Sequence, residues 1–511
     1  MKPTYYLTTP IFYVNGAPHI GHAYTMIASD VLARFKRLDG YDVHFLTGTD
    51  EHGQKVEKAA ADAGMEPQAF TDQISAVFQD IALQMGVTND DFIRTTEQRH
   101  KVASQALWQR LLAAGHIYLG GYEGWYAIRD EAFYDEGELT IRPDGTKLAP
   151  TGAPVEWVTE PSYFFRMSAF QDRLRAHIEE NPEFIAPVAR RNEVLGFLRQ
   201  PLRDLSISRT SFRWGIPVPG DEAHVMYVWL DALTNYLTAV GYPDENADLW
   251  RFWPADLHIV GKDILRFHAV YWPTLLMAAD LPLPKRIYAH GWWTIEGEKM
   301  SKSLGNVIDP RELAQAYGLD ALRYFVLREV PFGNDGDYSR RALVSRLNVE
   351  LANDLGNLAQ RSLSLIAKNC EARLPGRGVL SDDDTTLLAA AEALPGLVRA
   401  ALDRQAFGEA LEDVWKVIRA GNGYIDRQAP WALRRTDPPR MAVVLRVLAD
   451  LLRHVATVLQ PFMPGSMARM LDQLGVPADQ RNISDLRSPL PDGTSLPTPE
   501  GIFPRHVEDA A

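Results

Sequence analysis

Two histidines, His19 and His22, stand three residues apart in the stretch NGAPHIGHAYTMIASD. An extended pattern precedes the pair and a helical pattern follows it, so the pair falls in the first turn of a predicted helix. Side chains at this spacing share one face of a helix, and the N-terminus of a helix attracts anions. Gly21 removes a side chain that would obstruct a flat base. The stretch therefore predicts a site where imidazoles hold the phosphates of a nucleotide.

A second motif, EGEKMSKSLGN, places two lysines and two serines within five residues, after a predicted strand and a glycine turn. A cationic loop of this kind is suited to a triphosphate. The glycine-rich dinucleotide fingerprint and the GxxxxGK[ST] phosphate loop are both missing. Side chains of the two motifs, rather than a backbone loop, are therefore expected to hold the phosphates.

Each motif also has a simpler explanation. A histidine pair can be half of a metal site, but no glutamate or second histidine pair stands nearby at ligand spacing. Either histidine can cap a helix or pack in the core, and a lysine-rich segment is usually a solvated loop. The presence of both motifs on the two halves of one predicted sheet favours the nucleotide site, with no metal ligand among its residues.

Strand and helix patterns alternate in two blocks that would position these motifs. Residues 5–9, 21–36 and 43–47 have the patterns of a strand, a helix and a strand, and residues 256–291 repeat that order. Two such blocks predict an α/β fold with one doubly wound, Rossmann-like parallel sheet, split by an insertion. After about residue 349, long apolar-periodic helices predict an α-helical bundle.

The composition of the 511 residues, 46% hydrophobic and 23% charged, is typical of a globular chain with more than one domain. A net charge of −13 argues against general affinity for nucleic acid but leaves room for a local basic face. The single cysteine, Cys370, permits neither an intrachain disulfide nor a cysteine-based metal site.

Two features bear on location. The apolar segment 441–463 carries two arginines, an aspartate and a histidine, which a lipid-facing span would tolerate poorly, so we expect a packed helix and no membrane partner. The opening MKPTYYLTTP has no charged leader followed by an apolar core. A cytoplasmic protein is expected.

With HIGH intact at residues 19–22 and KMSKS at 299–303, the chain resembles the class I aminoacyl-tRNA synthetases. Longer stretches resemble the methionyl branch of that family: TPIFYVNGAPHIGH, GTDEHG, YVWLDALTNY, GKDILRFHAVYWP, HGWWTIEGEKMSKS and LANDLGNLAQR. The resemblance covers essentially the whole chain in order. It implies activation of L-methionine with ATP and Mg²⁺ to methionyl-adenylate, and transfer to the 3′ end of tRNA(Met) for translation initiation and elongation.

The resemblance implies roles for individual residues. The catalytic positions are His19, His22, Lys299 and Lys302. The ATP-binding positions are His19, Gly21, His22, Gly261, Asp263, Lys299, Ser301 and Lys302. The methionine-binding positions are Ile11, Tyr13, Asp50, Trp229, Ala232, Tyr236 and His268. The anticodon-binding positions are Asn357, Arg361 and Trp431. Asp50 matches the carboxylate that takes the substrate ammonium, and Tyr236 and His268 match the positions nearest the sulfur. Without the resemblance, the aromatic residues among them would be read equally well as core residues.

The same resemblance implies a division of the chain. Its parts are the first catalytic half (1–116), a connective insertion (117–224), the second catalytic half (225–295), the KMSKS loop with a stem-contact region (296–349), and the anticodon-binding helical domain with a C-terminal tail (350–511).

The chain departs from the family pattern in the insertion, where many methionyl enzymes bind zinc through cysteines. Ala127, Asp130 and Ala149 stand where cysteines would be expected, and residues 120–161 contain none. We therefore expect an insertion without structural zinc, held by its aromatic residues. No oligonucleotide-binding domain follows the helical part, which favours a monomer.

Two other functions stay open. Synthetases for isoleucine, valine or leucine share both signatures but usually carry a large editing domain, whereas only 276 residues separate His22 from Lys299. Cysteinyl enzymes use a zinc bound by cysteines, which this chain cannot supply. A tRNA-binding relative without catalysis is the other alternative, and the two intact signatures argue against it.

Overall fold

The structure is a computed structural model that describes residues 2–14, 16, 18–130, 132–295, 298–299 and 308–506. Most of the KMSKS motif therefore lies outside the described residues. Ser301 and Lys302 are among the residues that the structure does not describe, and Lys299 is described only through its backbone, in a short strand.

A parallel sheet of seven strands organises the N-terminal part of the chain. Its strands lie in the order Ile185–Ala186, Ile287–His290, Leu257–Gly261, Thr4–Thr8, Asp42–Asp50 and Phe12–Tyr13, and Asp91–Arg94 also pairs with Asp42–Asp50. Thr4 lies opposite Asp42, and Leu7 lies opposite Leu257. The strands are almost wholly buried, as expected when helices cover both faces of a parallel sheet. The doubly wound sheet predicted from the sequence is confirmed.

Helices pack on both faces of this sheet. Neighbouring residues of the central strand, Tyr6 and Leu7, belong to two separate hydrophobic clusters, because successive strand residues point to opposite faces. The helices of this part are Ile20–Leu38, Gln54–Asp62, Pro67–Gln84, Gln98–Ala113, Val228–Thr238 and Trp272–Ala278, with a 3₁₀ turn at Asp248–Phe252.

The segment 262–279 differs from the single α-helix that the sequence predicts. It consists of a 3₁₀ turn at Lys262–Ile264, a π-helical turn at Phe267–Tyr271 and an α-helix from Trp272. Pro273 has no N–H, so the α-helical hydrogen bond back to residue 269 cannot form. The wider turn carries His268, and π-turns are frequent at functional sites.

The chain between residues 117 and 224 is built around an antiparallel sheet of four strands. The strands lie in the order Leu205–Ser206, Glu156–Phe165, Ile117–Ala127 and Ala132–Tyr134. Smaller elements are the strand pair Thr140–Ile141 and Lys147–Leu148, the strands Ser208–Arg209, Pro217–Val218 and Asp221–Met226, and the 3₁₀ turns Glu136–Glu138 and Met167–Phe170. Two helices, Gln171–Glu180 and Val188–Phe197, were not predicted. Strand Ile185–Ala186, between them, joins the main sheet.

A small sheet follows the second half of the main sheet and leads to the helical part. Its strands are Glu298–Lys299, Trp293–Ile295 and Gly336–Tyr338. The helices of this region are Pro310–Tyr317, Leu319–Arg328 and Arg340–Arg346, and Phe325 of the second contacts Trp293 and Tyr338 of the sheet.

The predicted bundle begins with a π-helical segment, Leu347–Gly356, that continues directly into helix Asn357–Asn369. Its other elements are Asp382–Leu402, Phe407–Gln428, Pro430–Thr436, Pro438–Leu459, Pro464–Gln473 and the 3₁₀ turn Ile483–Arg487. Ser381 caps Asp382–Leu402, and it exchanges hydrogen bonds with Asp384. Helix Pro438–Leu459, which covers most of the apolar segment noted above, is buried along most of its length.

Among the described helices, one, Asp382–Leu402, is long and apolar enough to cross a membrane by length and composition alone. It packs against the bundle helices Phe407–Gln428 and Pro438–Leu459, and its Leu394 and Val398 are buried.

Candidate active site

A cavity of about 450 Å³ opens where the central strands end. Residues that end or follow four parallel strands line it: Pro10 after the first, Asp50 at the end of the third, and Gly261 and Gly291 in the second half of the sheet. This edge is where open α/β sheets bind their ligands.

The predicted site residues meet in this cavity. All seven predicted methionine-binding residues line it: Ile11, Tyr13, Asp50, Trp229, Ala232, Tyr236 and His268. Five of the predicted ATP-binding residues line it too: His19, Gly21, His22, Gly261 and Asp263. One cavity thus brings together residues that lie more than 200 positions apart in the sequence.

His19 and His22 cap the first helix with their own rings. The Nδ1 atom of His19 accepts the backbone N–H of Gly21 at 3.1 Å, and Nδ1 of His22 accepts the backbone N–H of His19 at 3.0 Å. The ring centroids lie 4.0 Å apart. Because each Nδ1 accepts, each ring carries its proton on Nε2. The helix start therefore holds two N–H donors of fixed orientation beside its positive dipole.

Gly21 is required by this arrangement. A Cβ at this position would lie 2.9 Å from Cε1 of His19, closer than nonbonded carbon atoms approach. The ring of His19 can fold over the first turn only because residue 21 has no side chain.

Asp50 is the last residue of its strand and lies opposite Tyr13 in the ladder. The Tyr13 hydroxyl donates to the carbonyl oxygen of His52 at 3.2 Å, which fixes the loop behind Asp50. A carboxylate that lines this cavity is a natural partner for an ammonium group.

Behind this loop lies a buried carboxylate, Asp231, between two histidines. Nδ1 of His52 lies 2.6 Å from Oδ2, and Nε2 of His100 lies 2.7 Å from Oδ1. Burial would raise the pKa of Asp231, but the two histidines outweigh it and lower the pKa to about 2. Asp231 therefore stays ionised and ties the Asp50 loop to helix Val228–Thr238.

The inner wall of the cavity is aromatic. The Trp229 ring stacks on Phe267 with centroids 3.6 Å apart, and the Tyr236 hydroxyl lies 2.7 Å from Nε2 of His268. Burial lowers the pKa of His268 to about 4, so the imidazole is neutral near pH 7. The wall combines flat apolar surfaces with one phenol–imidazole pair, which suits a thioether side chain.

The opposite wall carries Asp263, whose Oδ1 accepts the indole N–H of Trp292 at 3.1 Å. A Cβ at Gly261 would lie 2.5 Å from the same oxygen, so a larger residue there would displace the Asp263 carboxylate. The carboxylate is thereby held at the rim, where it can accept hydrogen bonds from a ribose.

Several lining residues were not predicted. Phe12 packs its ring edge-on against His22, Nζ of Lys55 lies 5.0 Å from the Tyr13 ring centroid, and His290 bonds to Thr25 at 2.8 Å. Arg129, from the insertion, also lines the cavity. Phe12 and His290 lie within stretches that carried the family resemblance, so their position beside the motifs was the available signal. Arg129 gave no such signal.

The part of the insertion that carries Ala127, Asp130 and Ala149 holds a small apolar cluster. Ala127 and Ala149 are buried together with Ala153 and Val155. Asp130 accepts hydrogen bonds from Tyr134, at 3.0 Å, and from Thr151. In the part of the chain that the structure describes, no group of three or more His, Cys, Asp or Glu side chains could hold a metal ion.

The three predicted anticodon residues lie together on the bundle. The Arg361 guanidinium lies 5.4 Å from the ring centroid of Trp431, and Asn357 begins the helix that carries Arg361. Trp431 is 44% exposed, so it is not the buried tryptophan that the sequence alone left open. Arg361 also pairs with Asp426 at 2.6 Å.

Comparison with known proteins gives the same assignment along the whole chain. The family described as tRNA synthetases class I (M) matches residues 5–363, and the anticodon binding domain of methionyl tRNA ligase matches residues 374–511. Methionine–tRNA ligase of Brucella suis biovar 1 is 58% identical over 508 residues, which cover 99% of each chain. The enzyme of Rickettsia felis is 55% identical over 514 residues and 100% of each chain.

Solved structures of methionyl-tRNA synthetases are similar to this chain along nearly its whole length. Mycobacterium tuberculosis methionyl-tRNA synthetase in complex with methionyl-adenylate superposes with a TM-score of 0.96 at 54% identity, covering 99% of this chain and 100% of that chain. The apo form of the same enzyme gives a TM-score of 0.91 at 49% identity, covering 100% of this chain and 99% of that chain. The two family models together match nearly the whole chain, and the relatives align with it along nearly its full length. The chain therefore belongs to the methionyl family of class I aminoacyl-tRNA synthetases.

Proposed function

We propose that this chain activates L-methionine with ATP to methionyl-adenylate and transfers the methionyl group to the 3′ end of tRNA(Met), for both initiation and elongation of translation. One observation carries the proposal: the HIGH histidines and the seven methionine-pocket positions line the same cavity. A site of this composition can hold a nucleotide and an apolar amino acid side by side.

The reaction needs no protein nucleophile. A carboxylate oxygen of methionine attacks the α-phosphorus of ATP, and the bond to pyrophosphate breaks. A ribose hydroxyl of the terminal adenosine of tRNA then attacks the carbonyl carbon, and AMP leaves with the bonding electrons. Catalysis is therefore a matter of orientation and of stabilising charge on the phosphate oxygens.

In this proposal the Nε2–H groups of His19 and His22 donate to phosphate oxygens in the transition state, and Lys299 and Lys302 hold the departing pyrophosphate. The geometry of the rings supports the first role, since both Nδ1 atoms already accept backbone N–H groups. Loss of one such donor typically costs about 3–4 kcal/mol, or hundreds-fold in rate. Ser301 is assigned to the same phosphates.

The nucleoside is assigned to Gly21, Gly261 and Asp263. Mg²⁺ usually binds through substrate phosphates with few protein ligands, so we propose that it enters with ATP, where it would offset phosphate charge. No step here is assigned to a protein-held metal, and no structural zinc is proposed. Elemental analysis of purified protein is expected to find no tightly bound zinc, and one zinc per chain would contradict this.

Methionine is assigned to the aromatic wall, with its ammonium on Asp50. The side chain would lie against Ile11, Trp229 and Ala232, with the sulfur towards Tyr236 and His268. Shape alone separates methionine weakly from leucine, because one methylene is worth roughly 1–3 kcal/mol. The phenol–imidazole pair supplies the further discrimination.

The helical part is assigned to the anticodon. Bases of a single-stranded loop are recognised by stacking and by hydrogen bonds to their edges. The exposed indole of Trp431, with the Arg361 guanidinium beside it, offers a surface for base stacking. The side chain of Asn357 offers hydrogen bonds to a base edge.

We propose the following division of labour: residues 1–116 and 225–295 for the chemistry, 117–224 as the connective insertion, 296–349 for the KMSKS loop and stem contact, and 350–511 for the anticodon. We also propose a cytoplasmic monomer. Sedimentation is expected to give one species near 57.3 kDa, and a dimer that persists on dilution would refute the monomer.

The activation step is tested by exchange of labelled pyrophosphate into ATP with methionine, leucine, isoleucine, valine or cysteine. We expect strong exchange with methionine alone, and a loss of hundreds-fold in His22→Ala and Lys302→Ala, because each removes a phosphate contact. Lys285→Ala, at a surface lysine paired with Asp256, is the matched control and should exchange normally.

Stronger exchange with another amino acid than with methionine would mean that this chain is a class I synthetase for that amino acid. Folded protein that supports no exchange with any amino acid, in the presence of magnesium, would instead identify a tRNA-binding relative without catalysis.

A further inference from the structure

The carboxylate of Asp263 is held at the cavity rim by a side chain from the next strand of the sheet. Its Oδ1 accepts the indole N–H of Trp292 at 3.1 Å. An indole nitrogen can only donate, so the direction of this bond is fixed. The orientation of the Asp263 carboxylate therefore depends on what holds the Trp292 ring.

A neighbouring segment of the chain fixes the backbone of Trp292. The N–H of Trp292 donates to Oδ1 of Asp335 at 2.8 Å, and its carbonyl oxygen accepts from the N–H of Gly336 at 2.7 Å. A Cβ at Gly291 would lie 2.2 Å from the carbonyl oxygen of Asn334, so the two segments pack backbone to backbone. Asp335 thus holds Trp292 at a closely packed junction.

The same carboxylate also holds a cation over the Trp292 ring. Nζ of Lys262 lies 2.6 Å from Oδ2 of Asp335 and 4.3 Å from the centroid of the indole. A cation over the face of an aromatic ring is attracted by that ring. Asp335 therefore acts on Trp292 twice, through the backbone N–H and through Lys262 over the ring.

We call Asp335, Lys262 and Trp292 the Asp335 cluster. Trp292 lines the cavity, whereas Lys262 and Asp335 do not. The side chains of Lys262 and Asp335 are 19% and 49% exposed, and an ion pair of this kind contributes little to stability. The contacts of the pair instead converge on the orientation of one indole.

We propose that Asp335 is a positioning residue for the ribose of ATP, which acts through Lys262 and Trp292 on the carboxylate of Asp263. The inference rests on the proposed function, in which Asp263 accepts hydrogen bonds from the ribose. A carboxylate in an open α/β sheet commonly binds ribose hydroxyls. With Oδ1 bound to the indole, the Asp263 carboxylate presents one orientation to such a hydroxyl. The Asp335 cluster thereby makes the protein prefer a ribonucleotide to its deoxy analogue.

Exchange of labelled pyrophosphate into ATP, 2′-deoxy-ATP and 3′-deoxy-ATP, with saturating methionine, tests the inference. The wild-type protein should have a lower KM for ATP than for at least one analogue, because that analogue lacks the hydroxyl that Asp263 binds. Asp335→Ala should raise the KM for ATP about tenfold, the usual effect of losing one hydrogen bond to a charged group. The KM values for that analogue and for methionine should stay within about twofold of the wild-type values. The preference for ATP should therefore fall about tenfold.

Two further variants break the Asp335 cluster at other points. Lys262→Met removes the cation and retains the aliphatic stem, and Trp292→Phe removes the indole N–H and retains a ring. Both should lower the preference for ATP as Asp335→Ala does. Equal losses for ATP and both analogues in Asp335→Ala and Lys262→Met would mean that the ion pair acts on the phosphates, and would overturn the inference.

Asp256→Ala is the matched control. Like Asp335, Asp256 accepts a backbone N–H with one oxygen and a lysine with the other, from Tyr6 at 2.7 Å and from Lys285 at 2.6 Å. It precedes strand Leu257–Gly261 and so lies at the end of the sheet away from the cavity. The variant should leave the preference for ATP unchanged, and a fall like that of Asp335→Ala would show that the effect is not local to the Asp335 cluster.

An Asp263→Ala background makes the test stricter. If Asp335 acts through Asp263, Asp335→Ala should have no further effect on the preference for ATP in that background. Wild-type protein that supports no exchange with methionine would overturn the proposed function and this inference with it. Wild-type protein that supports methionine-dependent exchange, with an Asp335→Ala variant of unchanged preference, would overturn this inference alone.

Discussion

His19 and His22 serve the fold with one ring nitrogen and the site with the other. Their Nδ1 atoms satisfy backbone N–H groups at the start of the first helix, a task that serine, threonine or aspartate usually performs. The cap leaves the protons of both rings on Nε2, where a phosphate can use them. Substitutions here will therefore change stability and catalysis together, and both must be measured.

Gly21→Ala separates these effects. The new Cβ would collide with the His19 ring, so the ring must leave its position over the first turn. We expect pyrophosphate exchange to fall by about 100-fold, in line with a lost transition-state donor. Unfolding free energy should fall by only about 1 kcal/mol, the value of a helix cap. Gly196→Ala, on a helix where a Cβ meets nothing within 4 Å, should leave exchange unchanged. Equal rates of pyrophosphate exchange in Gly21→Ala and Gly196→Ala would mean that the reaction does not need the His19 ring in its position over the first turn.

Asp231 predicts a pH dependence of stability. Its pKa is about 2 in the folded protein, against 3.8 ordinarily. Because the folded value is the lower one, the carboxylate stabilises the fold above about pH 4, by about 2 kcal/mol, and this contribution disappears as the pH falls towards 2. Denaturant unfolding of Asp231→Asn should differ from wild type most near neutral pH and least near pH 2. Asp479→Asn, at an exposed position, should show no such trend, and a constant difference for Asp231→Asn would contradict the assignment.

At the scale of elements, the sequence predicted what depends on periodicity. Strand Thr4–Thr8 and helix Ile20–Leu38 follow from alternation and apolar spacing, and they occur within a few residues of the predicted bounds, 5–9 and 21–36. The π-helical turn Phe267–Tyr271 was missed because hydrophobic spacing does not report which carbonyl each N–H reaches. Helices Gln171–Glu180 and Val188–Phe197 were missed because the surrounding aromatic, glycine-rich pieces favoured strands and loops.

The residues of the active site also divide into those that the sequence predicts and those that it does not. Its motif residues could be predicted because their types and order are distinctive. The contact between His100 and Asp231 behind the Asp50 loop could not, since it depends on the packing of two helices whose contacting residues lie 131 positions apart in the chain. Arg129 reaches the cavity from the insertion, and nothing local marks it.

One buried ion pair joins three elements. The Arg323 guanidinium, on helix Leu319–Arg328, lies 2.6 Å from Asp30 of the first helix and also donates to the carbonyl oxygens of Pro461 and Phe462 beside the bundle. Asp30 is completely buried, so loss of Arg323 would leave a charge poorly compensated inside the protein.

Arg323→Met is therefore expected to lower the unfolding free energy by about 3–5 kcal/mol, measured by denaturant unfolding. Asp30→Asn combined with Arg323→Met should cost less than the sum of the two changes, because the charge without a partner is also removed. Arg311→Met breaks the partly exposed pair with Asp309 and should cost less than about 1 kcal/mol. Similar losses for Arg323→Met and Arg311→Met would show that the buried pair does not join these elements.

At the scale of the molecule, one hydrophobic cluster runs from the sheet into the bundle. It includes Leu7 and Ile27 near the first helix and Val414 and Leu448 in the helical part. Catalytic and anticodon-reading parts thus share a continuous core, although none of the predicted anticodon residues lines the cavity. Activation of methionine and recognition of tRNA should respond separately to surface changes on the bundle.

Trp431→Ala tests this separation. Stacking of a base on an aromatic ring is worth about 1–3 kcal/mol, so the KM for tRNA(Met) in aminoacylation should rise about tenfold or more. Pyrophosphate exchange needs no tRNA and should be unchanged. Leu397→Ala, at another exposed apolar residue of the bundle, is the control and should change neither quantity. A parallel loss of exchange in Trp431→Ala would mean that the two parts are not separable.

The two-residue strand Ile185–Ala186 limits how this protein can be shortened. It covers strand Ile287–His290, the outer neighbour of Leu257–Gly261 in the sheet. A deletion of 117–224 as one block would expose the backbone N–H and C=O groups of that apolar strand, and uncovered edges of this kind recruit strands from other copies. A minimal catalytic fragment must therefore keep the edge cover, or it will aggregate before its activity can be assayed.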